Sequence, residues 1–318
     1  MAKTKRKAHS SPYIGKGRVL SIFDPWGSSL CSCPFKYSLQ PYTGCSHRCL
    51  YCYATSYIRV RKSIPKRDFI RRLLSDLDKA DPGVPISMSN SSDPYPPEEK
   101  DYGLTRKALE VLLPRGFRVL IVTKSDLVVR DIDLLSKGNV AVTMTITTLD
   151  KELAYRLEPG APPPKDRVKA LEHLINHGVP VGVRIDPIIP YLNDDVYNIR
   201  ELVEALANIG VKFIVTSTYK ARPDNLKRMM EEFPEIASKL YRLYRINGTW
   251  VHGYWYLPLE ERKKLLRPVI EEARKHGIEY ATCREGFRGR EWFNAMSCDG
   301  IHLIPLRVRA KKRTLLDV

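Results

Sequence analysis

The sequence predicts an α/β protein, and within that class a partial (β/α)6 TIM-like barrel with an N-terminal arm and a C-terminal extension. Three observations predict this fold class. The 318-residue chain is long enough for one such barrel. Short runs rich in β-branched residues alternate with longer amphipathic segments, which is typical of repeated βα units around a parallel sheet. After residue 220 the pattern changes to long charged helices and then to a segment rich in Cys, Gly and Arg.

The individual elements follow from hydrophobic periodicity. Apolar or alternating runs predict six strands, at 35–40, 84–89, 118–123, 140–146, 180–185 and 211–217. Helical spacing of apolar residues predicts helices at 66–80, 103–114, 166–177, 196–209, 222–245 and 258–276. The predicted domains are a basic flexible arm at 1–18, the barrel at 19–220, and a helical, Cys-containing extension at 221–318.

Charge and composition limit the class of partner and the location. The formal net charge is +17, from 53 basic and 36 acidic side chains, which attracts polyanions and makes nucleic acid a candidate partner. The alternative is a solvated surface like that of thermophile proteins, since glutamine occurs once, at Gln40. No apolar run reaches the roughly 20 residues of a membrane-spanning helix, and no apolar segment follows the basic N-terminus. We therefore expect a cytoplasmic protein without membrane contact.

Three cysteines are the most specific chemical motif in the chain. Cys45, Cys49 and Cys52 stand in the run PYTGCSHRCLYCY with Cys-x3-Cys-x2-Cys spacing, after the first predicted strand and before a helix. Three thiolates on one short loop suit three irons of a cubane cluster and leave the fourth iron without a local protein ligand. A zinc site would need a fourth ligand, for which His47 is the histidine in the loop. Cluster or metal ligation is a better expectation than disulfides for cysteines in a reducing compartment.

This loop resembles that of the radical S-adenosylmethionine (SAM) superfamily, and the pattern CLYCY is similar to the branch that includes spore photoproduct lyase. The resemblance covers roughly residues 35 to 220. It implies that the open iron of a four-iron, four-sulfur (4Fe-4S) cluster binds SAM, and that an electron from the cluster splits SAM into methionine and a 5′-deoxyadenosyl radical. The radical then abstracts a substrate hydrogen, while the protein binds, orients and excludes water. An electron donor such as ferredoxin or flavodoxin is also implied.

The resemblance points to SAM contacts in the turn SNSSDPYPPEE at 89–99. This turn follows the second predicted strand, where radical SAM enzymes place small and acidic residues that bind the SAM amino group. Ser91, Ser92 and Asp93 are therefore candidate SAM ligands. The turn departs from the commoner glycine-rich version, and its composition also fits an ordinary capped turn.

Other candidates for cofactor binding lie at the ends of later strands, where a parallel barrel builds its active site. Thr145 and Thr147 lie at the end of the fourth predicted strand and are candidate contacts for the SAM ribose or carboxylate. Only alternate residues of a strand point inward, so burial in the core is the alternative for either threonine. Arg184 interrupts an apolar run, and a charge in a buried strand needs a partner. We predict that this partner is either a ligand, SAM or the substrate, or the carboxylate of Asp186. Lys124, at the end of the third strand, has the same two interpretations.

The other four cysteines form two pairs near the ends of the chain. Cys31 and Cys33 precede the barrel, and Cys283 and Cys298 lie in the C-terminal segment. Four thiols are what a second, fully ligated iron–sulfur cluster requires, and the pairs meet if the C-terminal segment folds back beside the N-terminal one. The alternatives are a structural zinc site and unconnected or substrate-directed thiols.

Cysteine and tyrosine side chains are the candidates for acting on the substrate radical. Spore photoproduct lyase uses a cysteine downstream of the cluster loop as a hydrogen-atom donor, whereas this chain has none between that loop and Cys283. That departure argues against a simple transfer of thymine-dimer repair, unless Cys283 or Cys298 takes the role or a tyrosine such as Tyr95 substitutes. Tyr51 and Tyr53 match the tyrosines that flank the third cluster cysteine and are predicted as catalytic, with aromatic packing around the cluster as the alternative.

Basic segments favour a nucleic-acid substrate. The run RVRKSIPKRDFIRR at 59–72 follows the cluster loop, and Arg288, Arg290 and Trp292 add charge and a stacking face. A solvated helix face is the alternative. We therefore predict a radical SAM enzyme, a lyase or oxidoreductase, that modifies or repairs DNA or tRNA. The competing hypotheses are a radical SAM enzyme acting on a peptide or small metabolite and a non-catalytic iron–sulfur protein that binds nucleic acid.

Overall fold

The strands of the protein were located in a computed structural model that describes residues 19–23, 30–88 and 90–308. The arm predicted at 1–18 lies outside the described residues, as does residue 89 of the second predicted strand. In chain order the strands are β1 (Leu20–Ile22), β2 (Tyr37–Leu39), β3 (Tyr42–Thr43), β4 (Ile64–Pro65), β5 (Ile86–Met88), β6 (Val119–Thr123), β7 (Val140–Thr145), β8 (Val181–Ile188), β9 (Phe213–Thr218), β10 (Thr249–Val251), β11 (Tyr254–Tyr256) and β12 (Glu279–Thr282).

Eight of these strands form the central sheet, in the spatial order β1-β2-β5-β6-β7-β8-β9-β12. All neighbours are parallel except β1, which pairs antiparallel with β2. The six strands predicted from the sequence correspond to β2 and to β5 through β9, so the predicted α/β fold is confirmed. The sequence reading missed β1, the seventh parallel strand β12, and two small antiparallel pairs, β3 with β4 and β10 with β11.

Helices connect the parallel strands. They are α1 (Phe69–Leu77), α2 (Glu99–Tyr102), α3 (Leu104–Leu112), α4 (Ile132–Leu135), α5 (Lys151–Leu157), α6 (Pro164–Asn176), α7 (Val196–Asn208), α8 (Pro223–Glu232), α9 (Pro234–Tyr241) and α10 (Leu259–Lys275). The single helix predicted at 222–245 is wrong, because Pro234 lacks an N–H and the helix breaks at Phe233. Within the described ranges, no helix combines the length and the apolar character that a membrane crossing requires.

The core has one layer on each face of the sheet, because parallel strands are covered on both sides. All six residues of β7 are buried. Val142 and Met144 pack in the outer layer with the helices. Ala141 points the other way and packs with Leu120 of β6. Burial of the valine, leucine and methionine side chains contributes roughly 1.5 to 3 kcal/mol each, so the strand pattern itself stabilises the sheet.

The C-terminal segment fills the inner side of the sheet. Ile301 and Ile304 pack against the inward-facing residues of β6 and β7. At Gly300 an added Cβ would lie 2.7 Å from Cγ2 of Thr143, so this approach requires glycine. Part of the segment predicted as an extension therefore contributes to the barrel, both here and through β12. The domain boundary at 221 stays a prediction.

Candidate active site

The three-cysteine loop, residues 44–63, is bounded by β3 and β4. Gly44 has a φ of +79°, and a Cβ there would lie 2.3 Å from the carbonyl oxygen of Lys62, so glycine is required at this turn. Ser46 and Ser63 each donate a backbone N–H to the other's hydroxyl at 3.0 Å. The two ends of the loop are therefore joined by its own residues.

The chain that follows α5 holds one side of the loop. Leu50 donates its N–H to the carbonyl of Leu157 at 2.9 Å, and Gly160 donates its N–H to the carbonyl of His47 at 3.0 Å. A Cβ on Gly160 would lie 2.0 Å from the carbonyl oxygen of Ser46. The close contact between these two backbones thus depends on glycine.

Helix α8 holds the other side of the loop. The Arg228 guanidinium donates to the carbonyls of Leu50 at 3.1 Å and Cys52 at 3.2 Å. The Asn225 amide donates to the carbonyl of Tyr51 at 3.1 Å. Three consecutive carbonyls, which end at the third cysteine, are therefore fixed by one helix, and the sequence did not indicate this contact.

The thiols of Cys45, Cys49 and Cys52 line one cavity of about 260 Å³. Cys49 is buried, the other two are half-buried, and all three are free thiols. Burial, reinforced by the charge of Asp93, raises the pKa of Cys45 to about 12. Burial also raises the pKa of Cys49 well above its usual range, although the charge of Lys124 opposes this shift. Cys45 and Cys49 are therefore protonated when free, and binding a metal centre would displace their protons.

The donor set of the loop fits a cubane cluster with one open iron. Three thiols from one loop face the same space, as three irons require. In the part of the chain that the structure describes, no group of three or more His, Cys, Asp or Glu side chains is arranged to hold a single metal ion. The histidine of this loop, His47, also lines the cavity, and its Nδ1 lies 3.3 Å from Oδ2 of Asp93.

The cavity opens at the carboxyl ends of the parallel strands, as expected for a barrel. Its wall includes residues that follow or end β5, β6, β7, β8, β9 and β12. Six of the seven predicted cofactor contacts line it: Ser91, Ser92, Asp93, Lys124, Thr145 and Arg184. Thr147 is buried and is not among the lining residues.

Asp93 organises the turn after β5. Its Oδ1 accepts hydrogen bonds from the Tyr95 N–H at 2.9 Å and the Thr123 hydroxyl at 2.6 Å. Its Oδ2 accepts from the Lys124 N–H at 2.8 Å and lies 3.3 Å from Nδ1 of His47. Burial opposes ionisation, but His47 and these hydrogen bonds outweigh it and lower the pKa of Asp93. The carboxylate thereby joins the three-cysteine loop to the end of β6.

A buried charge network lies behind Cys49. Arg167 and Glu158 form an ion pair at 2.5 Å, and Tyr51 donates its hydroxyl hydrogen to the same carboxylate. Burial would raise the pKa of Glu158, but the charges of Arg167 and Lys124 outweigh it and lower that pKa. Glu158 and Arg167 were missed from the sequence, where they read as ordinary polar residues around α5 and α6.

Arg184 pairs with Asp186 at the end of β8, and binding of SAM or substrate by Arg184 stays a prediction. Arg184 Nη2 lies 2.6 Å from Asp186 Oδ2, and both side chains line the cavity. The Ser217 hydroxyl donates to Asp186 Oδ1 at 2.5 Å. Ser217 and Lys220 also line the cavity, and the sequence analysis missed both. They lie near the carboxyl end of β9, and the same kind of position at the end of a parallel strand had identified Lys124.

The predicted tyrosines divide into two groups. Tyr51 and Tyr53 line the cavity, and the Tyr53 hydroxyl donates to the Asn90 carbonyl at 3.1 Å. Tyr95 has no exposed surface, donates its hydroxyl to Asp131 at 3.0 Å, and is not a lining residue. The expectation that Tyr95 acts on a substrate is therefore wrong, because its ring packs in the core.

The remaining cysteines come together from the two ends of the chain. The Sγ atoms of Cys33 and Cys298 lie 3.6 Å apart, and all four thiols are free. Cys31, Cys33 and Cys283 line the same cavity as the three-cysteine loop. The C-terminal segment thus folds back beside the N-terminal one.

A match to a protein-family model identifies the family of this chain. Residues 39–203, just over half of the chain, match the radical SAM superfamily. The chain belongs to that superfamily. Membership implies an enzyme that uses SAM and a 4Fe-4S cluster, and it confirms the resemblance seen in the sequence.

Relatives of this radical SAM protein include an uncharacterized protein of Acidianus two-tailed virus. It is 32% identical over 247 residues, which cover 67% of this chain and 80% of the relative. An uncharacterized protein of Methanocaldococcus jannaschii is 37% identical over 179 residues, covering 52% of this chain and 65% of the relative.

Two solved structures share the fold of this chain. A spore photoproduct lyase mutant with bound AdoMet and dinucleoside spore photoproduct matches with a TM-score of 0.61 at 18% identity, covering 81% of this chain and 76% of that one. Streptococcus suis SuiB bound to the precursor peptide SuiA matches with a TM-score of 0.52 at 15% identity, covering 77% of this chain and 48% of that one. Identities this low show a shared fold and nothing about substrate.

Basic side chains of this radical SAM protein are exposed in both segments predicted to contact nucleic acid. In the run 59–72 the exposed ones are Arg59, Arg61, Lys62, Arg67 and Arg71. Arg288 and Arg290 are exposed too, but Trp292 is only 5% exposed and packs against Phe287. The stacking role predicted for Trp292 is therefore wrong, because its ring belongs to the core.

Proposed function

We propose that this radical SAM enzyme holds its 4Fe-4S cluster on Cys45, Cys49 and Cys52. The observation that supports this most strongly is that three thiols from one loop face one cavity, while protein groups on both sides hold the loop backbone. When bound, the cluster supplies an electron that cleaves SAM to methionine and a 5′-deoxyadenosyl radical. A second iron–sulfur cluster on Cys31, Cys33, Cys283 and Cys298 completes the proposed cofactor set.

The chain's own residues would orient SAM in the cavity. Asp93 already accepts three hydrogen bonds from the protein, so it positions the turn while the neighbouring Ser91 and Ser92 contact the SAM amino group. Thr145 and Arg184 line the wall from β7 and β8 and suit the ribose and carboxylate oxygens. Lys124 brings a cation near Cys49, which offsets the negative charge of ligated thiolates.

Nucleic acid is the proposed substrate class, on grounds of charge and aromatic surface. The net charge is +17, and exposed arginines follow the three-cysteine loop. The β10–β11 hairpin adds Trp250, which is 52% exposed and lies 4.5 Å from Trp255 between ring centroids. The hairpin reaches the cavity through Tyr254, whose ring contacts Tyr53 edge-on at 6.1 Å. Such a surface suits a single-stranded or flipped nucleotide.

A peptide substrate is the second candidate, because the structurally similar SuiB is bound to a precursor peptide. The +17 charge favours nucleic acid over this alternative. Fluorescence anisotropy with single-stranded DNA, tRNA and a neutral peptide distinguishes them. We expect nucleic-acid affinity that falls steeply as salt rises. Affinity that ignores salt, or no nucleic-acid binding at low ionic strength, would refute this substrate class.

The proposed reaction also needs one-electron reduction, for which a ferredoxin or flavodoxin is the expected donor. The test of the function itself uses dithionite in place of that donor. Anaerobically reconstituted protein is mixed with SAM and dithionite, and 5′-deoxyadenosine is measured by chromatography. We expect release from the wild type and none from the Cys45→Ala/Cys49→Ala/Cys52→Ala variant. A cluster-loaded wild type that releases no 5′-deoxyadenosine would favour the non-catalytic alternative.

A further inference from the structure

The two edges of the central sheet leave one side of the barrel open. Strands β1 and β12 stand at opposite ends of the strand order and are not paired with each other in the described ranges. Residues 30–36 and 283–299 meet across this side, where the Gly286 N–H donates to the Leu30 carbonyl at 3.2 Å. The barrel is therefore closed here by two irregular segments instead of by strand pairing.

Four thiols lie where these segments meet, and we call Cys31, Cys33, Cys283 and Cys298 the four-cysteine seam. Cys33 and Cys298 contact each other with their Sγ atoms 3.6 Å apart, and Cys31 hydrogen-bonds to Cys33. Cys283 interacts electrostatically with the other three. Each segment contributes two thiols, so the seam joins residues more than 250 positions apart in the sequence.

The charges around the seam suit an anionic centre. Lys36 forms a buried ion pair with Asp299, the residue that follows Cys298 in the chain. The charge of Lys36 also acts on the Cys33 thiol. Arg184 hydrogen-bonds to Cys283, and Lys220 lines the same cavity. Three cations thus stand next to thiols of which one is buried and three are half-buried, and they would compensate the charge of ligated thiolates.

Four thiols from two segments can hold a fully ligated cluster or a single zinc ion. The Cys33 and Cys298 Sγ atoms lie 3.6 Å apart, which is closer than the ligands of a cubane stand, so cluster binding would separate them. A disulfide between Cys33 and Cys298 would use two thiols and leave the other two without a role. Three of the four thiols share the cavity of the three-cysteine loop, which favours a second cluster, and a count of iron and zinc distinguishes it from a zinc site.

We infer that the four-cysteine seam binds an iron–sulfur cluster that fastens the open side of the barrel and forms part of the wall of the substrate cavity. The position in that wall follows from Cys31, Cys33 and Cys283, which share the cavity with the three-cysteine loop. A role toward bound substrate rests on the proposed function of that cavity. The fastening itself depends on the seam alone.

Two variants separate this cluster from the one on the three-cysteine loop. Cys45→Ala/Cys49→Ala/Cys52→Ala removes the loop thiols, and Cys31→Ser/Cys298→Ser removes one thiol from each segment of the seam. After anaerobic reconstitution with iron and sulfide, iron, sulfide and zinc are counted per chain, and amide hydrogen exchange at Gly286 is followed by mass spectrometry. We expect each variant to retain about half the iron of the wild type. SAM should alter the reduced spectrum of the seam variant and leave that of the loop variant unchanged.

Iron loading of the loop variant should also slow exchange at Gly286, because the cluster holds its segment against Leu30. Wild-type iron content in the seam variant, zinc at the seam, or a Cys33–Cys298 disulfide that persists after reduction and reconstitution would overturn the inference. An amide exchange rate at Gly286 that is the same with and without iron would overturn the fastening role. Loss of the SAM response with the seam iron intact would instead count against the proposed function alone.

Discussion

Replacing Gly160 with alanine tests how the three-cysteine loop is held. The added Cβ would lie 2.0 Å from the carbonyl oxygen of Ser46 and 2.9 Å from Cα of His47, so it would meet backbone atoms on the loop itself. The loop cannot retreat without breaking the Gly160 to His47 hydrogen bond, and the adjacent Leu50 to Leu157 bond restrains it further. We therefore expect Gly160→Ala to displace the loop and weaken cluster binding.

The size of the effect follows from these contacts. Overpacking against fixed groups costs about 1 to 3 kcal/mol, and each of two lost hydrogen bonds adds about 1 kcal/mol. The expected total is about 3 to 5 kcal/mol in the free energy of unfolding of the iron-free chain, measured by urea denaturation. The iron retained per chain after gel filtration should fall in parallel.

Gly83→Ala is the matched control for this change. Its Cβ would lie 3.1 Å from Oδ1 of Asp81, an exposed side chain that can turn away at the cost of its hydrogen bond from the Gly83 N–H, at most about 1 kcal/mol. We expect the control to stay within about 1 kcal/mol of the wild-type free energy of unfolding and to keep the wild-type iron content. If Gly160→Ala behaves like Gly83→Ala in both measurements, the account of how the loop is held is refuted.

Three further changes address the loop, the buried network and the hairpin. Arg228→Gln should lower the free energy of unfolding by about 2 to 4 kcal/mol and reduce iron retention, because two carbonyls of the loop lose a charged donor; an unchanged urea midpoint would contradict this. Glu158→Gln should cost about 3 to 5 kcal/mol at pH 7 by leaving Arg167 buried without its carboxylate. Because the folded pKa of Glu158 is depressed, that difference from wild type should narrow as the pH falls through this pKa, and urea titrations that show a constant difference would refute the assignment. Trp250→Ala should leave stability within about 0.5 kcal/mol but weaken single-stranded DNA binding about tenfold in anisotropy, whereas Tyr197→Ala, also exposed, should not.

The sequence predicted the parts of the site that depend on local pattern. Spacing alone identified Cys45, Cys49 and Cys52, since three thiols within eight residues must share one loop. Strand periodicity located the six central strands, and the rule that parallel strands present their carboxyl ends to the active site indicated Lys124 and Arg184. The structure brings these side chains to one cavity, because a short stretch of chain determines the position of each, and their roles stay predictions.

The parts that escaped prediction depend on contacts between distant segments. Arg228 lies on a helix whose amphipathic pattern shows that it packs but not that it meets residue 50. Trp292 and Tyr95 carry functional groups that suit a ligand, but each is buried by neighbours that no local pattern reveals. Strand β12 is only four residues long and follows a long helix, so its place beside β9 is a tertiary property.

The central claim is that three thiols leave one iron open to SAM. The most direct test is electron paramagnetic resonance of the dithionite-reduced protein, carried out in the Cys31→Ser/Cys298→Ser background so that the loop cluster is observed by itself. Our account predicts that adding SAM changes the spectrum of this cluster and that 5′-deoxyadenosine is then released. A zinc-containing protein, or an iron centre whose spectrum is the same with and without SAM, would contradict it.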